Sequence, residues 1–421
     1  MIKVFNCNNK NYLKKLQIFL DKRRFGKKTD HKIVSTIIKD VKKNKLKAVL
    51  KYEKKFTKNY EIKISLKKIN KSIRSLDNKT KIAIDFAYNR ILKFHSKQKL
   101  KNIFYKDNLG NKLENKYIPL ESIGIYVPSN LPSTLMMNAI PAKIAKVRRI
   151  VLATPKFNGM LNPAVLYVAK KIGIKEIYSM GGVQAIASLA YIQKVNKVVG
   201  PGNIYVSKAK REIFGDVGIE GMIAGPSEIT VVADDNTNID HVATSLVGQA
   251  EHDTDSQSIL ITKNKKILNN INKKISYFLN KIPRKKIASI SLKKNGLIIL
   301  AKNDKQIIKL INKIAPEHLE LNIKNRKEYL SKIINSGSIC IGPYSPMAAT
   351  DYNVGTNHVL PTFGSSKFSS GLNLNDFYKK ISYITLSKKG IEVIGKQAIT
   401  LAEYEKLIGH AQSIKSRIRR N

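Results

Sequence analysis

The residues from Gln249 to Gln257 combine amide, imidazole and carboxylate side chains in one short stretch. No Lys or Arg occurs between Arg211 and Lys263, although the whole chain carries a formal net charge of +47. Because neighbouring cations repel a metal ion or a cationic substrate, this local absence favours a site that holds one of the two. Apolar residues at helical spacing from Ile239 to Ala250 predict that Gln249 and His252 occupy neighbouring positions near the C-terminal end of one helix. The alternative is a helix end at which the two side chains only cap backbone carbonyls.

A carboxylate and an imidazole also stand side by side at Glu317 and His318, where a predicted strand starts. Adjacent side chains of a strand point to opposite faces, but at the end of a strand both can reach one crevice. In such a pair the carboxylate can activate a water molecule, and the imidazole can take and return protons near neutral pH. The alternative is a surface glutamate beside a histidine that caps the backbone.

Two turns that contain glycine, Gly181–Gln184 and Gly200–Asn203, follow predicted strands and open predicted helices. There, helix N-termini offer free N–H groups and the positive end of the helix dipole to phosphates. A strand-to-helix turn also needs glycine for its own geometry. Because the chain has no Gly-x-Gly-x-x-Gly fingerprint, these turns alone do not predict a bound dinucleotide.

Nitrogen and oxygen donors for a metal ion are scattered over the second half of the chain. They comprise two imidazoles and two side chains with oxygen donors, at Gln249, His252, Asp351 and His410. This set suits zinc, and without thiolates we expect an open and exchangeable site.

From Ser122 onward, short apolar runs alternate with helical patterns. Such alternation implies right-handed crossovers and a parallel sheet covered on both faces. The predicted strands are residues 123–127, 149–153, 176–180, 197–199 and 228–233, and for a second sheet 258–261, 297–301, 319–323 and 338–341. The predicted helices include residues 30–56, 79–97, 133–147, 163–172, 184–195 and 203–214. The fold class is therefore α/β, with two doubly wound Rossmann-like sheets and helical N-terminal and C-terminal extensions.

The predicted domains follow from these patterns. They are an N-terminal extension at 1–25, a discontinuous first α/β domain at 26–125 and 229–372, a second α/β domain at 126–228, and a helical tail at 373–421. Because the tail is short of a core of its own, we expect it to pack on a partner subunit.

Composition narrows the class of protein. With 43% hydrophobic and 25% charged residues the chain is typical of a globular protein, and no apolar run approaches the ~20 residues of a membrane span, so we expect a cytoplasmic location. Only Cys7 and Cys340 are present, which argues against a disulfide framework. The high net charge leaves open a basic nucleic-acid-binding protein on an α/β scaffold. Scattered lysines without an Arg-rich arm favour a solvated surface instead.

Several of these strings occur together, and in the same order, in one known family. The chain resembles histidinol dehydrogenase over nearly its whole length, least in the first 110 residues. The most specific strings are Gly200–Lys208, Ala224–Glu228, Gln249–Gln257, Pro316–Leu319 and Gly355–Pro361.

The resemblance implies two successive hydride transfers to NAD, which convert L-histidinol through L-histidinal to L-histidine in histidine biosynthesis. It implies a homodimer in which the tail supplies site residues. It also implies that the second α/β domain, residues 126–228, binds NAD. The catalytic residues would be Glu317 and His318, and the zinc ligands Gln249, His252, Asp351 and His410. The substrate contacts would be Ser227, Gln249, His252, His318, Asp351, Glu405 and His410, and the NAD contacts Tyr126, Gln184 and Asn203.

Two departures from the family pattern bear on this interpretation. The loop Ser129–Pro132 is shorter than in the family pattern, so the shape of the loop on the NAD side stays open. It also leaves open the alternative that the chain is an enzyme-derived scaffold without catalytic activity. Cysteines of some relatives are absent and Cys340 lies in an apolar strand, which disfavours a covalent thiohemiacetal route.

Overall fold

The computed structural model describes residues 2–8, 11–25, 31–98, 100–128, 130–156, 159–221 and 225–418. The chain forms two compact units, the first made of Met1–Lys97 and Glu121–Asp376 and the second of Gln98–Leu120 and Phe377–Asn421. Among the described helices, none has both the length and the hydropathy to cross a bilayer. The predicted domains divide the chain between the two large sheets, which is a different division from these two units, and their boundaries stay a prediction.

The strands alternate with helices along most of the chain. The strands are β1 (Lys3–Asn6), β2 (Ile103–Lys106), β3 (Lys112–Pro119), β4 (Ser122–Tyr126), β5 (Arg149–Ala153), β6 (Glu176–Tyr178), β7 (Lys197–Val199), β8 (Gly218–Ile219), β9 (Glu228–Ala233), β10 (Gln257–Thr262), β11 (Leu297–Leu300), β12 (His318–Asn322), β13 (Ser338–Ile341) and β14 (Tyr378–Thr385). The helices are α1 (Tyr12–Phe25), α2 (His31–Thr57), α3 (Leu66–Arg74), α4 (Asn78–His95), α5 (Pro132–Ile144), α6 (Pro163–Ile172), α7 (Gly182–Tyr191), α8 (Ile204–Ile213), α9 (Ile239–Ala250), α10 (Lys265–Leu279), α11 (Lys285–Asn295), α12 (Asp304–Ile314), α13 (Arg326–Leu330), α14 (Met347–Thr350), α15 (Lys388–Tyr404) and α16 (Ile408–Ile418).

Two parallel sheets form the first unit. The six-stranded sheet has the order β1-β11-β10-β9-β12-β13, and the five-stranded sheet has the order β6-β5-β4-β7-β8. The strands of the six-stranded sheet are apolar on both faces: Val231 packs with α9 and α10, whereas Val232 packs with α1 and α12. Such continuous apolar runs are typical of parallel strands covered by helices on both faces. The predicted strands and the predicted α/β class are confirmed.

The terminal segments contain the predicted helices and, in addition, two strands that the sequence did not predict. β1 pairs in parallel with β11, so the N-terminus completes the edge of the six-stranded sheet. In the second unit β14 pairs antiparallel with β3, which also pairs with β2. β1 has only four residues, most of them exposed, and such a short edge strand carries little periodic signal.

Helix α9 shows how local chemistry sets the position of the site. The side chain of Asn238 caps its N-terminus by accepting the backbone N–H of Asp240 at 2.9 Å. The helix ends at Ala250, so Gln249 lies in its last turn. His252 lies beyond the end, where its N–H approaches the carbonyl of Gln249 at 3.3 Å. The prediction that both residues lie on one helix was therefore wrong for His252, because the helix ends with the apolar pattern at Ala250, two positions before His252.

Candidate active site

A large cavity in the first unit collects most of the predicted site residues. Its volume is about 1280 Å³. Ser227, Ser256 and Glu317, which precede strands of the six-stranded sheet, line it together with Pro128 and Pro201, which follow strands of the five-stranded sheet. The cavity is therefore bounded by the amino ends of one sheet and the carboxyl ends of the other. Ligand sites of open α/β sheets normally lie at carboxyl ends, so only the second boundary follows that rule.

Glu317 and His318 both reach the cavity from the start of β12, as the sequence predicted. Both side chains are buried, and His318 Nε2 lies 3.9 Å from Glu317 Oε1. Glu317 Oε2 accepts the backbone N–H of Glu228 at 2.7 Å, which fixes the carboxylate. Burial raises the pKa of Glu317 well above its usual value. A carboxylate with a raised pKa is a stronger base than an exposed one.

The imidazole of His318 is held from its other side. Its Nδ1 lies 3.0 Å from Ser338 Oγ, so Nε2 faces Glu317 and the carboxylate of Asp351, whose Oδ1 is 3.9 Å away. Burial, together with the nearby His358 and His252, lowers the pKa of His318 to about 3. His318 is therefore neutral near pH 7 and can accept a proton.

Asp351 lies between His318 and His252, two of the histidines that line the cavity. Its Oδ2 is 3.9 Å from His252 Nε2, and burial raises its pKa to about 7. His358 Nδ1 approaches the backbone carbonyl of Asp351 at 2.7 Å. Burial lowers the pKa of His358 to about 4. His358 was assigned no role from the sequence. Its position in Gly355–Pro361, one of the strings most specific to the family, was a signal that it could belong to the site.

Gln249 also lines the cavity and is only 1% exposed. Within the described part of the chain, neither its Oε1 nor its Nε2 has a hydrogen-bond partner. A buried polar group without a hydrogen-bond partner lowers the stability of the folded protein by about 1–3 kcal/mol. The unpaired amide of Gln249 therefore indicates that a ligand binds here. The described residues contain no group of three or more His, Cys, Asp or Glu side chains arranged as a metal site. Of the predicted zinc ligands, Gln249, His252 and Asp351 line the cavity, and His252 Nε2 lies 3.9 Å from Asp351 Oδ2.

The structure brings only some of the other predicted residues to the cavity. Ser227 and Asn203 line it, and the side chain of Asn203 caps α8. Tyr126 and Gln184 are buried and are not part of its lining. Gln184 Nε2 instead donates to Glu53 Oε1 at 2.8 Å. Glu405 and His410 belong to the second unit, where both are exposed. Two positions in the predicted strings, residues 129 and 224, lie outside the described residues.

Comparison with known proteins shows the family to which the chain belongs. The sequence model of a family described as histidinol dehydrogenase matches residues 21–418. Histidinol dehydrogenase of Pelagibacter ubique is 57% identical over the full length of both chains. The chain belongs to the histidinol dehydrogenase family. The Bacillus cereus histidinol dehydrogenase is 40% identical over 97% of each chain. The crystal structure of histidinol dehydrogenase from Elizabethkingia anophelis matches with a TM-score of 0.92 at 38% identity, over 99% of this chain and 98% of that one. The resemblance read from the sequence is confirmed, and the chain is an oxidoreductase.

Cations reach the cavity of this member of the histidinol dehydrogenase family from distant parts of the chain. Lys294 Nζ donates to Asp255 Oδ1 at 2.8 Å, and Arg284 donates to the carbonyl of His252 at 3.2 Å. Arg284 is not part of the cavity lining, whereas Lys294 is, together with Lys3, Lys22, Arg23, Arg24, Lys208, Arg211 and Lys367. The expectation of a site kept free of cations was wrong, because a gap in the sequence does not exclude residues that the fold brings back.

Arg23, on α1, forms the most buried of these contacts. It pairs with Glu228, and the two side chains are 6% and 5% exposed. Arg23 also donates to the carbonyls of Pro226 at 2.6 Å and Asp255 at 2.9 Å. Glu228 Oε1 accepts the N–H of Phe363 at 2.9 Å. This cluster joins α1 to the backbone group that fixes Glu317, and sequence reasoning missed it because its members are far apart along the chain.

The two cysteines of this histidinol dehydrogenase homologue are both buried. Burial raises the pKa of Cys7 to about 11 and that of Cys340 to about 12. Because a thiolate is the nucleophile in covalent thiol catalysis, neither cysteine is suited to a thiohemiacetal route.

Proposed function

We propose that this chain is a zinc-dependent histidinol dehydrogenase that oxidises L-histidinol through L-histidinal to L-histidine in two NAD-linked steps. The single observation that carries the proposal is the meeting of Glu317, His318, Asp351, His252 and Gln249 around one cavity in a member of this family. Two oxidations of one substrate require that an aldehyde intermediate stays bound. One cavity that holds both a neutral imidazole and a strong carboxylate base fits that requirement.

The donors at the cavity fit zinc, although they do not form a complete set by themselves. The amide of Gln249 is buried without a partner, and His252 Nε2 and Asp351 lie close together. Nitrogen and oxygen ligands with no thiolate are typical of exchangeable zinc sites. Gln249, His252 and Asp351 would hold the ion, with His410 of the tail as a fourth ligand. Bound zinc would anchor the substrate through its imidazole and amino nitrogens.

The substrate is an amino alcohol that carries a positive charge. Asp351 faces the cavity with a carboxylate that can accept a hydrogen bond from the amino group of the substrate. Ser227 lies on the cavity wall and can contribute a hydroxyl contact. Glu405 of the tail would add a second carboxylate.

His318 is the base of the first oxidation. In the tautomer whose Nδ1–H donates to Ser338 Oγ, the lone pair of Nε2 faces the cavity and can take the hydroxyl proton of the alcohol while the carbon loses hydride. The lowered pKa keeps the imidazole neutral, and therefore able to accept that proton, near pH 7. Bound NAD would supply the hydride acceptor for each of the two oxidations. Contacts from Asn203, Tyr126 and Gln184 would position NAD, and the last two side chains would have to move to touch it.

Glu317 is the base of the second oxidation. Its carboxylate takes a proton from water as the water adds to the aldehyde, while His318 returns its proton to the carbonyl oxygen. The resulting gem-diol then loses hydride from carbon and a hydroxyl proton to His318, which leaves the carboxylic acid. The backbone N–H of Glu228 holds Oε2, which leaves Oε1 beside His318 to face the reacting water. Both bases start from one strand end, so the substrate need not leave between the steps.

The proposal extends to the assembly and its setting. A homodimer in which one subunit supplies Glu405 and His410 to the cavity of the other would complete the donor set. Both side chains are exposed in the second unit and are available for such a contact. As an enzyme of histidine biosynthesis, the protein would act in the cytoplasm on a small molecule, with neither membrane nor nucleic acid as a partner.

Spectrophotometric turnover tests the proposal. We expect NADH formation from L-histidinol and NAD, two NADH for each histidinol consumed. We also expect loss of turnover after chelator treatment and recovery with Zn²⁺. No NADH from histidinol would refute the activity, and full turnover after verified metal removal would refute the zinc dependence. Tight binding of generic DNA that weakens steeply with salt would favour the nucleic-acid alternative.

A further inference from the structure

Glu320 is a buried carboxylate on β12 that the proposed reaction does not use. Its side chain is 2% exposed, and its strand neighbours in register are Val231 and Cys340. An ionised carboxylate in such apolar surroundings is costly unless hydrogen-bond donors surround it. A leucine would fill a similar volume without that cost. The presence of a carboxylate at this position therefore needs a reason other than packing.

The donors that satisfy Glu320 come from two elements that present site residues. Oε1 accepts the hydroxyl of Ser245 at 3.0 Å and the backbone N–H of Met347 at 2.7 Å. Oε2 lies 3.4 Å from the amide nitrogen of Asn322. One carboxylate oxygen thus ties α9 and α14 to β12.

Each of these contacts lies close along the chain to a residue of the cavity. Ser245 is four positions before Gln249 on α9, so the two side chains share one face of the helix. Met347 opens α14, which ends directly before Asp351. Glu320 itself lies two positions after His318, on the same face of the strand. A single side chain therefore sets the relative positions of three elements that carry the amide, the carboxylate and the imidazole of the site.

We propose that Glu320 is a positioning residue that holds α9 and α14 so that Gln249 and Asp351 converge on one zinc ion and on the substrate. This inference rests on the proposed function. Residues that orient metal ligands through such contacts typically change metal affinity by about 10- to 100-fold when they are replaced. Replacing Glu320 by leucine would leave the Ser245 hydroxyl and the first N–H of α14 unsatisfied and would free both elements to shift.

The test measures zinc binding by the full-length chain after chelator treatment, in competition with a chromophoric chelator. Glu320→Leu should weaken zinc binding at least tenfold, whereas Glu320→Gln keeps an oxygen acceptor and should stay within about threefold of the parent protein. Steady-state kinetics supply a second readout: the KM for histidinol should rise in Glu320→Leu while the KM for NAD does not change. A purely structural role would lower the unfolding temperature without moving either quantity.

Ser245→Ala keeps the inference testable if Glu320→Leu does not fold. It removes only the link to α9, and we expect zinc binding to weaken about threefold or more. Thr244→Ala is the matched control, since the exposed Thr244 hydroxyl bonds only carbonyls of its own helix, those of Asp240 and His241. It should bind zinc like the parent protein.

The outcomes separate this inference from the function on which it rests. If the parent protein binds zinc and turns over histidinol but a folded Glu320→Leu binds zinc equally well, the positioning role is overturned and the proposed function stands. If Glu320→Leu does not fold and Ser245→Ala binds like Thr244→Ala, the positioning role is also overturned. If the parent protein binds no zinc, the zinc-dependent function and the positioning role fail together.

Discussion

Replacing Arg23 by methionine tests the cluster that joins α1 to the segment that holds Glu317. The substitution keeps an unbranched side chain but removes the charge that pairs with Glu228. Because both side chains are almost fully buried, at 6% and 5% exposure, solvent screens the pair little. Removing one partner of a buried pair leaves an uncompensated charge and destabilises by about 3–5 kcal/mol. The lost bonds to the carbonyls of Pro226 and Asp255 act in the same direction.

Most of that destabilisation should come from the carboxylate of Glu228 that is left behind. Glu228→Gln removes its charge while keeping an oxygen that can accept the N–H of Phe363. In the double variant we therefore expect a loss of stability smaller than the sum of the two single losses, by about 2 kcal/mol. Arg24→Met, one position further along α1, is a matched control that removes a charge of the same kind from the cavity wall.

Urea unfolding of the four proteins and the control, followed by circular dichroism, measures these free energies. If the effects of Arg23→Met and Glu228→Gln simply add, the pair does not couple the two sites. If Arg24→Met destabilises as much as Arg23→Met, the loss reflects the overall charge of the cavity. Either result would refute the assignment of the buried pair as the link between α1 and the segment that holds Glu317.

Three further outcomes follow from the site and from a surface carboxylate. Glu317→Gln should slow oxidation of the aldehyde more than oxidation of the alcohol in separate half-reaction assays, and equal losses would rule out its role in activating water. His252→Asn should lower the zinc content per chain by elemental analysis, and an unchanged content would exclude it as a ligand. Asp40 accepts bonds from Lys51, Asn44 and Tyr52, and these hold its pKa down at about 2. The pKa of Asp40 in the folded protein lies below its value near 4 in the unfolded chain, so the ionised carboxylate stabilises the folded state. This stabilisation is present above pH 4 and disappears as the pH falls towards 2. Asp40→Asn should therefore lower the unfolding temperature at pH 7 and have no effect near pH 2, and an equal effect at both would contradict the shift.

Local chemistry was readable from the sequence. The apolar runs between turns predicted the central strands, since buried parallel strands are short and apolar throughout. The pair Glu317 and His318 stood at a predicted strand start, and the structure places both on the cavity. Gln249 and His252 were predicted to lie on one helix, and the structure places both on the cavity, with the helix end between them.

Contacts between distant residues were not readable in the same way. Arg23 and Glu228 are separated by 205 positions, and no periodicity marks either side chain. The cations near Asp255 come from Arg23 and Lys294, outside the stretch that lacks them. Glu320 is one of two polar residues in the predicted strand 319–323, and nothing in the sequence marks its contacts with the two helices α9 and α14. Such contacts depend on how elements pack, which a single sequence does not show.

The pairing of β1 with β11 has a consequence for how the protein is made. All five strands of the five-stranded sheet come from one continuous stretch, Ser122–Ile219, and can assemble as soon as it leaves the ribosome. Lys3, in contrast, pairs with Leu297, 294 positions further on. At about 5–20 residues per second, roughly 15–60 s of translation separate the two strands. A chain whose translation stops before β11 would therefore carry one finished sheet and one with an unpaired N-terminal strand.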